Sequence, residues 1–251
     1  DLVWLAPELA LVIAAVVLSL LDLLLPRSFN RKTIGWLTIA ALAVSAVFTA
    51  QQLGLEQPVS LLDDSYRVDD FALILKLLFL AGSALAVLMS LGMKKEDLSA
   101  DDIGEYYYFY LPATVGAMVT ASSADLIMLY VGLELLSITT YIMVGMRKKI
   151  YISTEAAFKY VVMGGVSSAF ILYGMSFLYG FTGTTNLARI NMMLRFTGIE
   201  NFDALLYVSF FLLVTGIGFK IAAAPFHAWA PDVYQGAATP VAAYLAVVSK
   251  A

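Results

Sequence analysis

Apolar and polar positions alternate in long blocks along the chain rather than residue by residue. Eight apolar runs lie at roughly 2–25, 33–53, 69–92, 106–122, 125–146, 154–180, 203–224 and from about 237 onward. The connections between them are short, the tightest being "SSAD" at 122–125. Several runs reach the ~20 residues with which an α-helix crosses a ~30 Å hydrocarbon core. The pattern predicts an all-α polytopic membrane protein of about eight spans, packed as a bundle. The first run has too many successors to be a cleaved leader. The eighth holds about 15 residues before the chain stops, too few to cross, and the first residue is Asp1 rather than Met. A longer parent protein is therefore expected.

Composition agrees and narrows the chemistry. With 61% hydrophobic and 14% charged residues and a mean hydropathy of +0.84, the chain does not suit a water-soluble domain. There is no cysteine, which removes the thiolate ligands of iron–sulfur clusters and the CxxC attachment of haem. No GxGxxG or Walker sequence occurs. A single histidine and no compact acidic cluster offer no transition-metal site. No residue is assigned to a cofactor or a metal, and the chain is expected to work without a bound redox group. The net charge of −4 sits mostly in short loops. The lipid bilayer is the implied partner, and no nucleic acid is expected. Arg27, Arg31, Lys32, Lys94, Lys95, Arg147, Lys148 and Lys149 follow the first, third and fifth runs, against Arg67, Arg189 and Arg195 on the other side. That bias puts the first set in the cytoplasm and the N-terminus outside.

Ionisable residues inside the runs carry the candidate chemistry, because a charge at membrane depth is costly and usually faces a bundle interior or water. Glu134 sits near the middle of the fifth run, with Tyr130, Ser137 and Tyr141 on the same helical face. Burial favours its neutral acid and a neighbouring cation favours the carboxylate, opposed pulls that suit a proton carrier. An interhelical hydrogen bond from a protonated Glu134 is the plainer alternative. Lys220 comes late in the seventh run, before Pro225, which cannot bond the carbonyl of Ile221. Pro231 would interrupt a continuing helix in the same way. Such a break must face protein or a water-filled cavity, although Lys220 could also snorkel to the interface. His227, in "PFHAWAPD", suits either a proton relay or a structural bond to a carbonyl. Lys250 falls near mid-membrane with no partner visible in the pattern. Lys159 follows Glu155 by four residues and suits an interfacial pair as well as a relay. Lys76 is read as snorkelling outward. The small residues of "VVMGGVSSAFILYGMSFLYG" allow close helix packing.

Three stretches, "LYVGLELLSITTYIM", "STEAAFKYVVMGGVSSAFILYGMSFLYGFTGTTNL" and "GFKIAAAPFHAWAPDVYQGAATPVAAYLAVVSKA", resemble the subunit N family of proton-pumping NADH:quinone oxidoreductase, the antiporter-like membrane subunits of respiratory complex I. The resemblance covers nearly the whole chain and is strongest from Glu134 to Lys250. It implies a parent of fourteen transmembrane helices with two inverted five-helix repeats, helices four to eight and nine to thirteen, of which the seventh and twelfth are discontinuous. On that reading residues 1–105 are an N-terminal three-helix segment and 106–251 the first repeat, its last helix truncated and the second repeat absent. The resemblance assigns proton transfer to Glu134, Lys220, Lys250 and Lys159, with His227 just after the break marked by Pro225 and Pro231. It implies a translocase subunit of a bacterial cell (inner) membrane, without a redox centre of its own. NADH, FMN, iron–sulfur clusters and quinone are then expected in partner subunits, and other membrane-arm subunits as neighbours. A related cation/proton antiporter or membrane-bound hydrogenase subunit, or a non-transporting scaffold, would share much of this pattern.

Overall fold

In a computed structural model the described residues are 2–26, 29–55, 57–93, 104–196 and 203–251. Arg27, Lys94 and Lys95 of the charge bias lie outside them. Helices α1 (Ala6–Leu24) and α2 (Lys32–Gln51) lead to a hairpin of β1 (Val59–Leu61) and β2 (Tyr66–Val68), then to α3 (Asp70–Leu91). A short α4 (Glu105–Tyr108) runs into α5 (Tyr110–Ala121), followed by α6 (Leu126–Val144) and the long α7 (Tyr151–Thr182). The chain continues through α8 (Leu187–Phe196), α9 (Asp203–Lys220), α10 (Ala230–Gly236) and α11 (Thr239–Val247). Among the described residues, α1, α2, α3, α6 and α7 are each long and apolar enough to cross a membrane unaided. The other three expected spans are shorter pieces: α4 with α5, α9 with α10, and α11. The first of these interruptions has a local cause. Pro112 lacks the N–H that would bond the Tyr108 carbonyl, and the helix breaks at Phe109.

The hairpin is not expected from the apolar runs. Its turn places Leu62, Asp63 and Asp64 in the left-handed region, without a glycine to mark it. Pairing of Val59 with Val68 and Leu61 with Tyr66 directs Leu61, Tyr66 and Val68 into a cluster with Leu73. The hairpin thereby caps one end of the bundle. Backbone bonds fasten the connections at that end together: Arg67 N–H to Ser122 O (2.7 Å), Leu126 N–H to Thr185 O (2.9 Å) and Leu187 N–H to Ala124 O (3.0 Å). Asp69 and Asp125 cap α3 and α6 there, accepting from the Ala72 and Ile127 amides. At the opposite end Arg31 pairs with Asp22, and Arg147 donates to the carbonyl of Gly236 at 3.0 Å.

The small residues of α7 meet α9 closely. Ser167 donates to Gly216 O at 2.8 Å and Ser209 to Gly174 O at 2.7 Å, a reciprocal pair across the interface. A Cβ on Gly216 would come within 2.8 Å of Ser167 O, and one on Gly174 within 3.0 Å of Ser209 O. Glycine is required at both for this approach, which sets α9 and its terminal lysine against α6 and α7.

Lys76 corrects the sequence reading. It does not snorkel; its side chain is fully buried, with Nζ 2.8 Å from Glu8 Oε1. The reason is a partner 68 residues upstream on α1, invisible to any local pattern.

Candidate functional site

Glu134 projects from α6 and Lys220 from the last turn of α9, and the two form an ion pair at 3.0 Å. Lys220 Nζ also donates to Ser137 at 2.7 Å, and Ser168 of α7 donates to the same Glu134 oxygen at 2.6 Å. The Lys220 side chain is only 12% exposed and that of Glu134 19%, so little solvent screens the pair. The polar face read along the fifth run is thus built against a neighbouring helix: Ser137 holds Lys220, while Tyr141 lines the space beside it. Ser168 was legible only as a small packing residue.

The helix ends differently from expectation. Ala222 takes a left-handed φ of 54°. Its N–H bonds Phe219 O, and the Ala223 N–H bonds Gly218 O at 2.8 Å. These two bonds are a Schellman closure, with alanine where glycine is usual. The helix stops at Lys220, so Pro225 lies beyond it rather than within it. Pro231 is the second residue of α10, where a proline starts a helix instead of breaking one. Both prolines flank the break, and the cap at Ala222 closes it on the α9 side.

Trp229 organises the gap between α9 and α10. Its indole stacks on Tyr160 (4.8 Å, 10°) and on Phe219 (5.6 Å, 21°). Its Nε1–H donates to Phe219 O at 3.0 Å, a second bond to the carbonyl that already accepts from Ala222 in the cap. Lys250 Nζ, partly buried, lies over the Trp229 ring at 5.4 Å and over Tyr234 at 4.9 Å, contacts favourable to an ammonium. A cavity of about 30 Å³, lined by Ser137, Tyr141, Lys220, Trp229 and Ser249 among others, runs beside these groups. It has room for a water or two and polar partners for it. Trp229 is therefore the shared wall between the Lys220 side and Lys250. The sequence reading missed it, since a tryptophan near a membrane boundary ordinarily marks only the interface.

The remaining candidates lie apart. Lys159 is 42% exposed and bridges Glu155 (2.9 Å) and Asp232 (2.7 Å), which clamps α10 to α7. Asp232 was not singled out from sequence. His227 is exposed and does not line the cavity. Among the described residues no group of three His, Cys, Asp or Glu side chains could hold a metal ion.

With this geometry in view, likeness to known proteins is informative. Residues 123–251 match the family model for the transmembrane region of NADH:quinone oxidoreductase and Mrp antiporters. The chain is 50% identical to NADH-quinone oxidoreductase subunit N of Paenibacillus sp. strain JDR-2, over 100% of this chain and 50% of that protein. It is 44% identical to the subunit of the same name from Bacillus anthracis, over 97% of this chain and 47% of that one. A chain of respiratory complex I from Thermus thermophilus with bound aureothin superposes with a TM-score of 0.78 at 31% identity, covering 97% of this chain and 50% of its own. A chain of the membrane-bound sulfane sulfur reductase, an archaeal respiratory membrane complex, shares the fold with a TM-score of 0.78 at 22% identity. This chain spans about half the length of the curated relatives it matches. It is a multi-pass membrane protein, and it belongs to the NADH:quinone oxidoreductase/Mrp antiporter transmembrane family.

Proposed function

We propose that this chain is the proton-input half of a membrane-arm subunit of NADH:quinone oxidoreductase, residing in a bacterial cell membrane. Residues 106–251 act as the first antiporter-like repeat and 1–105 as a three-helix segment packed against it. NADH, FMN, iron–sulfur clusters and quinone belong to partner subunits, and other membrane-arm subunits adjoin this one. The Glu134–Lys220 pair, at the end of a capped helix and beside a polar cavity, is the observation that carries the proposal.

Each side chain has a stated part. With the pair closed, the carboxylate holds the Lys220 ammonium charged. When the pair loosens, Lys220 Nζ–H can pass its proton to water in the cavity, which extends to Ser249, next to Lys250. Lys250, on the far side of Trp229, first gives up its own proton toward the second half of the subunit, and the amine so formed accepts the one that Lys220 released. His227 serves the entry or exit of protons at the surface of the break, and Lys159 with Asp232 fixes α10 relative to α7. Moving one charge through 100 mV costs about 2.3 kcal/mol. A change in one poorly solvated ion pair is of that order.

A related cation/proton antiporter role is the second reading, favoured by the matching family model, which takes in Mrp antiporters as well. Sealed vesicles holding the whole complex separate the two. Addition of NADH should drive proton uptake or release without added Na⁺. A pH change that appears only with Na⁺ supports the antiporter reading instead.

A further inference from the structure

A second buried charge cluster lies outside the repeat. Lys76 is fully buried on α3, and its Nζ contacts Glu8 Oε1 of α1 at 2.8 Å and the Tyr66 hydroxyl of β2 at 2.9 Å. The Tyr66 hydroxyl donates to the same Glu8 oxygen at 2.6 Å. Glu8 is 5% exposed, and its other oxygen, Oε2, is buried without a hydrogen-bond partner among the described residues. An ion pair at this depth is no better for stability than apolar residues of the same volume. Ionisable groups within a membrane bundle mark function by default.

Ser122 stands between the cluster and the surface: the Arg67 N–H bonds its carbonyl at 2.7 Å and Tyr66 bridges to Ser123, while its buried hydroxyl has no hydrogen-bond partner among the described residues. Ser122 also lines a surface depression of about 500 Å³ with Asp64, Arg67, Asp69, Asn186 and Arg189. That depression opens at the end which the lysine and arginine bias assigns to the outside. Burial, and then the neighbouring Glu8 charge, push the Tyr66 phenol well above its ordinary range. The hydroxyl thus stays a donor and can relay a proton without becoming a phenolate.

We infer that Glu8, Tyr66 and Lys76 form a second proton-exchange site, opened to the surface depression through Ser122. The exchange is a two-proton shift. A Lys76 N–H bond breaks as its proton moves to Tyr66 Oη, while the Tyr66 O–H proton moves to Glu8 Oε1. The shift leaves a neutral amine, an intact phenol and a carboxylic acid; the amine then takes a proton from a hydronium ion in the depression by way of Ser122 and Tyr66, leaving water, so one bulk proton is stored on Glu8 as the pH falls. Lys76 from α3 and Tyr66 from β2 are the titratable groups that touch Glu8. Lys32 of α2 and Tyr110 of α5 sit at the far ends of their helices, while Asp64, Arg67, Asp69 and Arg189 face the depression.

Infrared difference spectra of membranes containing the full subunit in its complex, recorded across a step in bulk pH, test this without reference to turnover. The comparison is with Glu8→Gln/Lys76→Met, which removes both charges and leaves neither partner stranded, and with Glu134→Gln. The expected result is a carboxylic-acid carbonyl band that follows pH, survives Glu134→Gln and vanishes in the double variant. Tyr66→Phe should keep the band and slow its appearance at least tenfold. A spectrum in which the double variant removes no pH-sensitive carboxyl band would overturn the proposal and leave the cluster structural. Failure of the double variant to assemble, with a wild-type band that vanishes in Glu134→Gln, would overturn it equally.

Discussion

Glu134→Gln should leave the complex assembled and slow proton transfer through this subunit by about 30-fold. The glutamine keeps the volume of Glu134 and can still accept from Ser168, so α6, α7 and α9 have no reason to part. What it removes is the charge opposite Lys220. Truncating one partner of a buried pair costs several kcal/mol. Here Ser137 retains the ammonium and the pair keeps some exposure, so about 2 kcal/mol is the fitting figure. As a barrier that is roughly 30-fold in rate. Glu134→Asp, shorter by one methylene, should retain more activity than the amide. Proton uptake and NADH oxidation measured together in sealed vesicles check both variants. A glutamine variant more active than the aspartate variant would show that the charge is not what matters.

Trp229→Ala should be the most destabilising single change at the break, by about 3 kcal/mol from lost packing. Three functions fail at once: the stack on Tyr160 and Phe219, the donor to Phe219 O, and the ring under Lys250. Trp229→Phe preserves most of the stack and loses the N–H, so it should cost about 1 kcal/mol. Thermal unfolding of the purified complex, followed by loss of the subunit, reads the order Ala, then Phe, then wild type. Equal effects of Ala and Phe would mean that the single hydrogen bond, and not the stack, holds the gap.

The spans were legible because length and hydropathy decide them locally, as at α3 and α6. Glu134 and Lys220 stood out for the same reason: a charge in an apolar run is conspicuous wherever its partner lies. Other features were hidden by the distances over which they form. Nothing near Lys76 in sequence announces Glu8, so a buried lysine looked like one reaching for water. The hairpin escaped because its turn uses leucine and two aspartates in the left-handed region instead of glycine. The break was located by its prolines, but its closure at Ala222, a residue with no helix-ending reputation, was not visible. Trp229, Ser168 and Asp232 acquire meaning only when α6, α7 and α10 are brought together. Sequence therefore exposes residues that are costly in themselves. It conceals those whose value comes from what they touch.

The proton-to-electron ratio of Lys220→Ala in sealed vesicles tests the central claim most directly. The claim requires protons to pass Lys220 when its pair with Glu134 opens. The account predicts an assembled complex whose ratio falls below wild type by the share this subunit contributes. A Lys220→Ala complex with normal assembly and an undiminished ratio would contradict it.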